Sequence, residues 1–566
     1  MQARLPGGAA PSYQGKFMST PNHADAAAAV PPASAPSTLA AFIMRLHFYA
    51  GLFAAPFILV AAITGVLYVL TPQIENRLYA DALYTAPGAV PRPLAEQIAV
   101  ARGAVAADAR VFAVRPAPGP DRTTRVMFSQ QGLGEGEHRA IFIDPATLEI
   151  KGDLAVYGTS GTLPFRTALV HLHRDLMLGD VGRNYSELAA SWLWFTALGG
   201  VILWVRRRRQ QPAAVPARAV TRAAAGAATA ATTSEAGAAS GAGGVAAAAA
   251  ARGSRRDRLR RWHGMLGVWI AIGVFFLSAT GLTWSRWAGE RIDAARAQWG
   301  WVTPALSTDL RPGATADASG DHADHGHMTM TAAVPDPVPV PVPVPVAAAA
   351  SPASASAESS ALAASAPIPP APSARWGADA TEAMPFDGVL HAARAAGIDA
   401  GEIEIRAPRK PDQAWVVREV DRAWPTQVDA VAIDGRDMAV VSRADFAGFP
   451  LVAKLIRWGI DAHMGILFGV MNQLIMAACG IALSVMIVLG YAMWWRRRPQ
   501  AGAGVLTVTR AWRQLPRAQR WTAVTIAALL GWCLPLMGLS LLVFMLVDVL
   551  RWQLARRRPP RALAPA

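Results

Sequence analysis

The chain has 566 residues, of which 53% are apolar, and its formal net charge is +15. The positive mean hydropathy argues against an ordinary soluble protein and indicates an integral membrane protein. The basic residues flank apolar segments instead of forming a patch on a soluble domain, so the charge does not indicate nucleic-acid binding. Cys479 and Cys533 lie inside apolar segments and are predicted to be packing residues, not a disulfide or metal site.

In chain order, five stretches are long and apolar enough to cross about 30 Å of hydrocarbon. They lie near 48–70, 186–205, 264–285, 464–495 and 522–549. The fifth is long for one span and contains Pro535 and Gly538, so it either crosses once or dips in and returns. Arginines crowd before the first stretch, between the second and third, and after the fourth. The positive-inside rule therefore predicts a multi-pass protein of the bacterial inner membrane with a cytoplasmic N-terminus.

The two long polar stretches, 71–170 and 286–460, are then periplasmic, and both show a predicted helix followed by strands. In the first stretch these elements lie at 93–107, 110–114, 125–129 and 140–145, and in the second at 387–396, 402–405, 414–419 and 431–437. The pattern predicts two small α+β domains.

Three low-complexity stretches interrupt this order and are predicted to be disordered. They are an Ala/Pro/Ser-rich tail at 1–39, a cytoplasmic linker at 211–252 rich in Ala, Gly and Thr, and an Ala/Pro/Ser-rich periplasmic insert at 305–378. The insert contains a tract of metal-binding residue types, namely His322, His325, His327, Met328 and Met330. Histidine with thioether sulfur suits copper, and histidine with carboxylate suits zinc. The simpler interpretation is a solvated tract with weak, non-selective affinity.

Two histidines stand at the start of matched apolar stretches, His47 in Arg45-Leu46-His47 and His263 in Arg261-Trp262-His263. A constant offset of 216 residues also relates Gly51 to Gly267 and Thr64-Gly65 to Thr280-Gly281. Such an internal repeat predicts a functional site between the halves. The Thr-Gly pairs taken alone are explained by close helix packing.

Two further histidines, His173 and His463, are matched at an offset of 290 residues. The same offset relates Gly179, Gly200 and Trp204 to Gly469, Gly490 and Trp494. His171 is an alternative to His173, but the second repeat has Asp461 at that position, which favours His173. The difference of 74 residues between the two offsets corresponds to the insert at 305–378.

The alternating direction of the helices places His47 and His263 at one depth and His173 and His463 at another. Imidazole is a good axial ligand for haem iron, and helix bundles hold cofactors between facing helices. We therefore predict two b-type haems, with glycines four and six residues after the histidines leaving room for the macrocycle. One histidine at a membrane boundary is ordinarily an interfacial residue, so it is the matched pairs that carry this hypothesis.

The distance between the two sites depends on whether their helices are straight or broken. On a straight helix ending at Arg496, His463 would lie well above the hydrocarbon. Broken helices, or intermediate aromatic residues such as Trp192, Trp194 and Trp269, would shorten the gap.

The predicted fold class is an α-helical membrane protein with duplicated helix pairs, four core transmembrane helices, a C-terminal apolar segment and two small α+β periplasmic domains. The predicted boundaries are 1–39 tail, 40–71 helix, 72–165 domain, 166–206 histidine-bearing segment and helix, 207–260 linker, 261–286 helix, 287–378 insert, 379–455 domain, 456–496 helix, 497–520 connection and 521–566 C-terminal segment.

With these residues in view, the chain resembles the PepSY-associated transmembrane family of iron-regulated bacterial inner-membrane proteins. The resemblance rests on the Arg-x-His-x3-Gly helices, the strand ends Phe142–Pro145 and Ala432–Gly435, and the motif Trp458–Gly465. It implies PepSY-like periplasmic domains above a helix bundle. In some members it also implies two haems and ferric-siderophore reduction.

The function expected from the sequence is electron transfer by two haems to a periplasmic ferric siderophore. No flavin or nicotinamide fold is recognised in the sequence, so the donor is a separate cytosolic reductase or quinol. The rival hypothesis is a non-enzymatic PepSY protein that binds or restrains a periplasmic partner, and a third is copper handling through the His/Met tract. Membrane lipid is the remaining expected partner.

Overall fold

The computed structural model describes residues 38–88, 90–210, 255, 257–311, 385–496 and 507–557. Nearly all of the predicted tail, the linker and the insert lie outside these residues, and so do His322, His325, His327, Met328 and Met330.

The described helices in chain order are α1 (Thr38–Val69), α2 (Thr71–Leu78), α3 (Ala80–Leu83), α4 (Leu94–Gly103), α5 (Pro164–Asp175), α6 (Gly179–Gln210), α7 (Asp257–Trp269), α8 (Ala271–Thr283), α9 (Trp287–Gln298), α10 (Pro385–Ala395), α11 (Leu451–His463), α12 (Gly469–Trp495), α13 (Val508–Arg513), α14 (Arg517–Cys533) and α15 (Pro535–Arg557). Four of these, α1, α6, α12 and α15, are long and apolar enough to cross a membrane. The pair α7 and α8, bent by 58° at their junction, forms a fifth span if it is counted as one. These helices fit a membrane protein and coincide with the apolar stretches of the sequence.

The histidine-bearing helices α5 and α11 are separated from the membrane helices that follow them. Leu176 and Met177 adopt positive φ angles of 52° and 59° after α5, and Gly465 adopts +77° after α11. Gly179 and Gly469 begin the next helices at +57° and +55°, a backbone conformation that glycine adopts without strain. Of the two possibilities left open for His463, the structure has the broken helix, because the chain breaks directly after that residue.

The fifth apolar stretch is a helical hairpin formed by α14 and α15. Gly531 and Gly538 would lie about 10 Å apart along one straight helix. Instead, a Cβ on Gly538 would come within 2.6 Å of the Gly531 Cα, so the chain reverses between them. The break falls at Leu534 and Pro535, where proline begins the second helix. Of the two alternatives left by the sequence, the structure has the one in which this stretch turns back.

The cysteines differ in their surroundings, although both are free. Cys479 is buried, and its Sγ would lie 3.0 Å from a Cβ on Gly273 of α8, as expected of a packing residue. Cys533 is exposed at the end of α14, so of the two cysteines only Cys479 is buried between described helices.

The strands are β1 (Arg110–Arg115), β2 (Thr124–Ser129), β3 (Glu137–Ile143), β4 (Ile150–Tyr157), β5 (Ile403–Arg406), β6 (Trp415–Glu419), β7 (Ala430–Ile433) and β8 (Val440–Ala444). They form one antiparallel sheet in the order β4-β3-β2-β1-β5-β6-β7-β8. The strands predicted for two separate periplasmic domains therefore lie side by side in a single sheet. β1 and β5 join the two groups of four through the registered pair Val114 and Ile405.

One face of this sheet packs on α4 and α10 and forms a hydrophobic core outside the membrane helices. Its buried residues include Ile98, Ile141, Phe386, Ile405 and Val431. Asp387 of α10 accepts hydrogen bonds from the Leu94 and Ala95 amides at 2.8 and 2.9 Å. The carboxylate thus satisfies free N–H groups at the start of α4 and stabilises the positive end of that helix. This contact ties together the helices of the two groups of strands.

The junction of the two groups is reinforced by a buried carboxylate, Glu404, on β5. Arg115 of β1 donates to it at 2.6 Å and Arg406 at 2.7 Å. Both arginines also donate to the Thr159 carbonyl at 3.4 Å. Burial raises the pKa of Glu404, but Arg115, Arg406 and Arg418 outweigh this effect and leave the pKa below its ordinary value.

Candidate functional site

Each of the four predicted histidines lies against the backbone of a glycine on another helix. A Cβ on Gly65 would lie 3.5 Å from the His173 ring, and one on Gly200 would lie 3.3 Å from the His47 ring. The corresponding distances are 3.6 Å for Gly490 and His263, and 4.0 Å for Gly281 and His463. These glycines let an imidazole approach the neighbouring helix closely, a role that larger residues would obstruct.

The structure brings the histidines together in the two predicted pairs. His47 is close enough to His263 for their charges to interact. His463 interacts with His173 in the same way. Each pair joins one histidine of the first half of the chain to one of the second half.

In the pair formed by His173 and His463, a threonine hydroxyl contacts each ring. Thr64 Oγ1 lies 2.9 Å from Nδ1 of His173, and Thr280 Oγ1 lies 2.6 Å from Nδ1 of His463. Each hydroxyl also donates to a carbonyl of its own helix at 2.7 Å. Because the hydroxyl proton is used there, the oxygen accepts the proton on Nδ1, and the lone pair of each imidazole is left on Nε2. The Thr-Gly pairs therefore do more than the close helix packing expected of them.

The pair formed by His47 and His263 uses main-chain oxygen instead. Nδ1 of His263 donates to the Met486 carbonyl at 2.9 Å, four residues before Gly490. The matching carbonyl, that of Thr196, interacts with the His47 ring. Within the described residues, Nδ1 of His47 has no formed hydrogen bond although it is buried. The two members of this pair thus share a register but differ in how well Nδ1 is satisfied.

His171, the alternative to His173, belongs to a different network. Its Nδ1 lies 3.2 Å from the Asp175 carboxylate, and its ring packs edge-on against Tyr157. Arg174 binds the same carboxylate at 3.0 Å. His173, by contrast, contacts α1 through Thr64, so the geometry favours His173 as the member of the pair.

Charged contacts outside the pairs fix the short helices that carry His173 and His463. Glu75 accepts the Arg166 amide near the start of α5 at 3.2 Å and binds the Arg166 guanidinium at 2.6 Å. Asp461, fully buried two residues before His463, binds Arg457 at 3.1 Å. The Asp461 carbonyl accepts the Ile466 amide at 2.8 Å, which closes the turn after α11. The contact between Glu75 and Arg166 was not predicted, because both residues lie outside the matched positions of the repeat, and Asp461 was noted only as the counterpart of His171.

The glycines four and six residues after the histidines do not touch the histidine rings. A Cβ on Gly51 would contact nothing within 4 Å, and one on Gly267 would contact Met486. Gly179 and Gly469 are the helix breaks described above. The glycines that touch the rings lie on other helices, and the room for a cofactor beside the glycines that follow each histidine stays a prediction.

Aromatic residues fill the bundle between the two pairs. On α6, Ala190 lies at the level of His463 and Gly200 lies at the level of His47. These two residues of α6 are about 15 Å apart along the helix axis. Trp192 lies between them, buried, with its ring 5.4 Å from Phe195 and its Nε1 donating to Ser540 at 3.0 Å. Trp194 also contacts Phe195, whereas Trp269 is 82% exposed and lies outside this interior.

The donor set fits a haem held by two histidines better than a free metal ion. Within the described ranges, no three side chains of His, Cys, Asp or Glu converge. What the bundle offers is paired imidazoles, three of them with Nδ1 hydrogen-bonded to an oxygen and Nε2 left to bind. An imidazole oriented by such a contact is the usual form of a metal-ligating histidine.

Comparison with known proteins places this arrangement in a family. The curated proteins give no match. A model of the family described as the PepSY-associated TM region matches residues 44–497, a range that includes all four paired histidines. This match confirms the resemblance seen in the sequence. The chain therefore belongs to the PepSY-associated membrane protein family.

Proposed function

We propose that the protein is a di-haem electron-transfer protein of the bacterial inner membrane that reduces ferric-siderophore iron in the periplasm. The observation that carries the proposal is the repeated contact of a threonine hydroxyl with Nδ1 of His173 and of His463. The same histidine-orienting contact occurs twice, from Thr64 on α1 and from Thr280 on α8, which are 216 residues apart. A simple membrane anchor would not need such contacts.

In this proposal, His47 and His263 hold one haem and His173 and His463 hold the other. Haem iron carries single electrons by changing between its ferric and ferrous forms. The contacts at Nδ1 of His173, His263 and His463 leave Nε2 of these rings free for the cofactor, and the glycines on the facing helices leave space for the rings. The apolar bundle around Trp192 excludes water from the space between the sites.

The proposed orientation has the His47 pair on the cytoplasmic side and the sheet in the periplasm. Arg45, near the start of α1, donates to the Thr507 carbonyl at 2.7 Å. The residue that precedes α13 therefore lies beside the start of α1. The hairpin tip lies at the other end, where Arg291 of α9 contacts the Trp532 carbonyl. Arginines thus collect at the His47 end, as the positive-inside rule requires of a cytoplasmic face. Reporter fusions at residues 120, 230 and 400 are expected to be periplasmic, cytoplasmic and periplasmic.

The eight-stranded sheet is interpreted as two PepSY-like units produced by duplication. Each has a helix followed by an antiparallel meander of four strands. The units stand above the His173 pair, so a chelate bound beneath the sheet would lie near that site. Fe(II) binds hard oxygen ligands more weakly than Fe(III), so one-electron reduction would release iron from an oxygen-ligating siderophore.

The test uses the full-length protein reconstituted with haem in liposomes. After anaerobic reduction, addition of a ferric hydroxamate siderophore should oxidise the haem, and the absorbance bands should change from the reduced to the oxidised form. A ferrous-specific chelator in the same sample should capture the Fe(II) produced. A haem-loaded protein that stays reduced with every ferric chelate tried would overturn the choice of acceptor. A natively purified protein that contains no haem would instead favour the non-enzymatic role of binding a periplasmic partner.

A further inference from the structure

A cavity of about 430 Å³ lies between α13 and the C-terminal end of α15, and no histidine lines it. Its walls are formed by Arg510, Arg513, Gln514, Trp552, Ala555 and Arg556. Three arginines line it, and none of the lining side chains that the structure describes is acidic. Cations gathered in a concave site without a carboxylate indicate an anionic ligand.

The aromatic wall of the cavity holds two of these cations in place. Arg513 and Arg556 lie 5.1 and 4.7 Å from the centre of the Trp552 ring, within the range of a cation–π contact. The nearby acid, Asp548, is buried and accepts the Val508 and Thr509 amides at the start of α13. Its carboxylate is thus occupied in capping the helix and does not enter the cavity.

The cavity lies at the end of a membrane helix. α13 packs against the start of α1, where Phe42 and Trp512 are 5.8 Å apart, and α15 is long and apolar enough to cross a membrane. On the face of α15 turned away from the cavity, Leu546, Leu550 and Leu554 are exposed, the last by 60%. A cavity at the end of such an apolar, exposed helix lies at the level of lipid head groups, so a ligand with a negative head and apolar chains matches it.

We propose that this cavity binds the phosphate of an anionic phospholipid whose acyl chains lie in the surrounding membrane. Basic pockets between membrane helices on the cytoplasmic side are known to bind such head groups. The planar guanidinium groups of Arg510, Arg513 and Arg556 bind phosphate oxygens through paired N–H donors. The bound lipid fastens α13 to α15, and through α13 it fastens the start of α1. The inference does not depend on the proposed electron transfer.

The test is lipid retention by the full-length protein in nanodiscs of equal parts phosphatidylglycerol and phosphatidylcholine. After gentle detergent extraction, native mass spectrometry counts the phospholipids that remain bound. The wild-type protein should retain phosphatidylglycerol in preference to phosphatidylcholine. The variant R510Q/R513Q/R556Q should lose that preference by roughly tenfold or more, since each arginine contributes several-fold to anionic lipid binding.

Arg551→Gln is the matched control, because Arg551 is exposed on the same helix, adjacent to Trp552, and does not line the cavity. It should retain phosphatidylglycerol as the wild-type protein does. Equal retention by the triple variant would overturn the proposal. So would binding of inorganic phosphate or NADPH with the same arginine dependence and no retained phosphatidylglycerol, since the cavity would then serve a soluble phosphate.

Discussion

The hydroxyl oxygen of Thr280 lies 2.6 Å from Nδ1 of His463, and Thr64 makes the same contact with His173 at 2.9 Å. A residue near the end of one membrane helix thereby sets the tautomer of a histidine on a different, short helix. Both contacts join elements that are more than 100 residues apart in the chain. The repeat seen in the sequence thus corresponds to a repeated contact between a threonine hydroxyl and a histidine ring.

Removing this hydroxyl should weaken the His173 and His463 site. Thr280→Val keeps the shape of the side chain but leaves Nδ1 of His463 without an acceptor. We expect haem affinity at this site to fall about 10–100-fold, the usual cost of losing such a contact. Thr280→Ser restores the hydroxyl and should restore binding. Haem titration of the apoprotein measures the effect, and equal affinities for the Val variant and the wild type would contradict it.

The glycines that face the rings should not tolerate long side chains. Gly65→Leu would place a bulky group against the His173 ring, because even a Cβ there lies only 3.5 Å from it. We expect this variant to lose the haem of that pair and keep the other. Leu67→Phe is the control on the same helix, since it adds bulk to an exposed side chain two residues from Gly65. Haem-to-protein ratios decide the matter, and similar ratios for both variants would remove the role assigned to Gly65.

The junction of the sheet should depend on Glu404. Glu404→Gln leaves Arg115 and its neighbours without their buried carboxylate, and breaking a buried pair costs about 3–5 kcal/mol. The exposed pair formed by Arg139 and Asp153 provides the control. Asp153→Asn should cost at most about 1 kcal/mol. Hydrogen exchange of the β1 and β5 amides should rise in the first variant only, and unchanged exchange there would contradict the assignment.

His138 on β3 should make the eight-stranded sheet sensitive to mild acid. Burial, with Arg406 and Arg409 nearby, lowers the pKa of His138 to about 4, and its ring stacks on Phe112 at 3.7 Å. The unfolded chain takes up a proton near pH 6.5, so between pH 6.5 and 4 it binds more protons than the folded protein. Stability should therefore fall as the pH drops through this window.

His138→Gln removes that proton uptake. Its apparent melting temperature should decline less between pH 7 and 5 than that of the wild-type protein. The two proteins would be compared in the same detergent and at the same salt concentration. Parallel declines would show that another group causes the acid sensitivity.

Much of this architecture follows from local signals in the sequence. Apolar runs of sufficient length mark the membrane helices, and alternating patterns place β1 at Arg110–Arg115 and β6 at Trp415–Glu419 within about one residue of prediction. The helix break after α5 could not be predicted, because Leu176 and Met177 adopt positive φ without being glycines. Only packing against neighbouring elements holds such residues in that conformation.

The candidate site could also be predicted only in part. The repeat offsets point to His47, His173, His263 and His463, and the alternating direction of their helices predicts which two lie at the same depth. The contact between Thr64 and His173 could not be read from the sequence, since it depends on how α5 folds back towards α1. The joining of β1 to β5 is likewise non-local and rests on the buried charge at Glu404.

We propose that four histidines hold two haems in defined pairs. The most direct test is the haem-to-protein ratio of natively purified protein, read from its oxidised and reduced absorbance spectra, for the wild type and four single His→Ala variants. We expect two haems in the wild type. His47→Ala and His263→Ala should deplete one spectral species, and His173→Ala and His463→Ala the other. Depletion of one species by both His47→Ala and His463→Ala, or haem content unaffected by all four changes, would contradict the account.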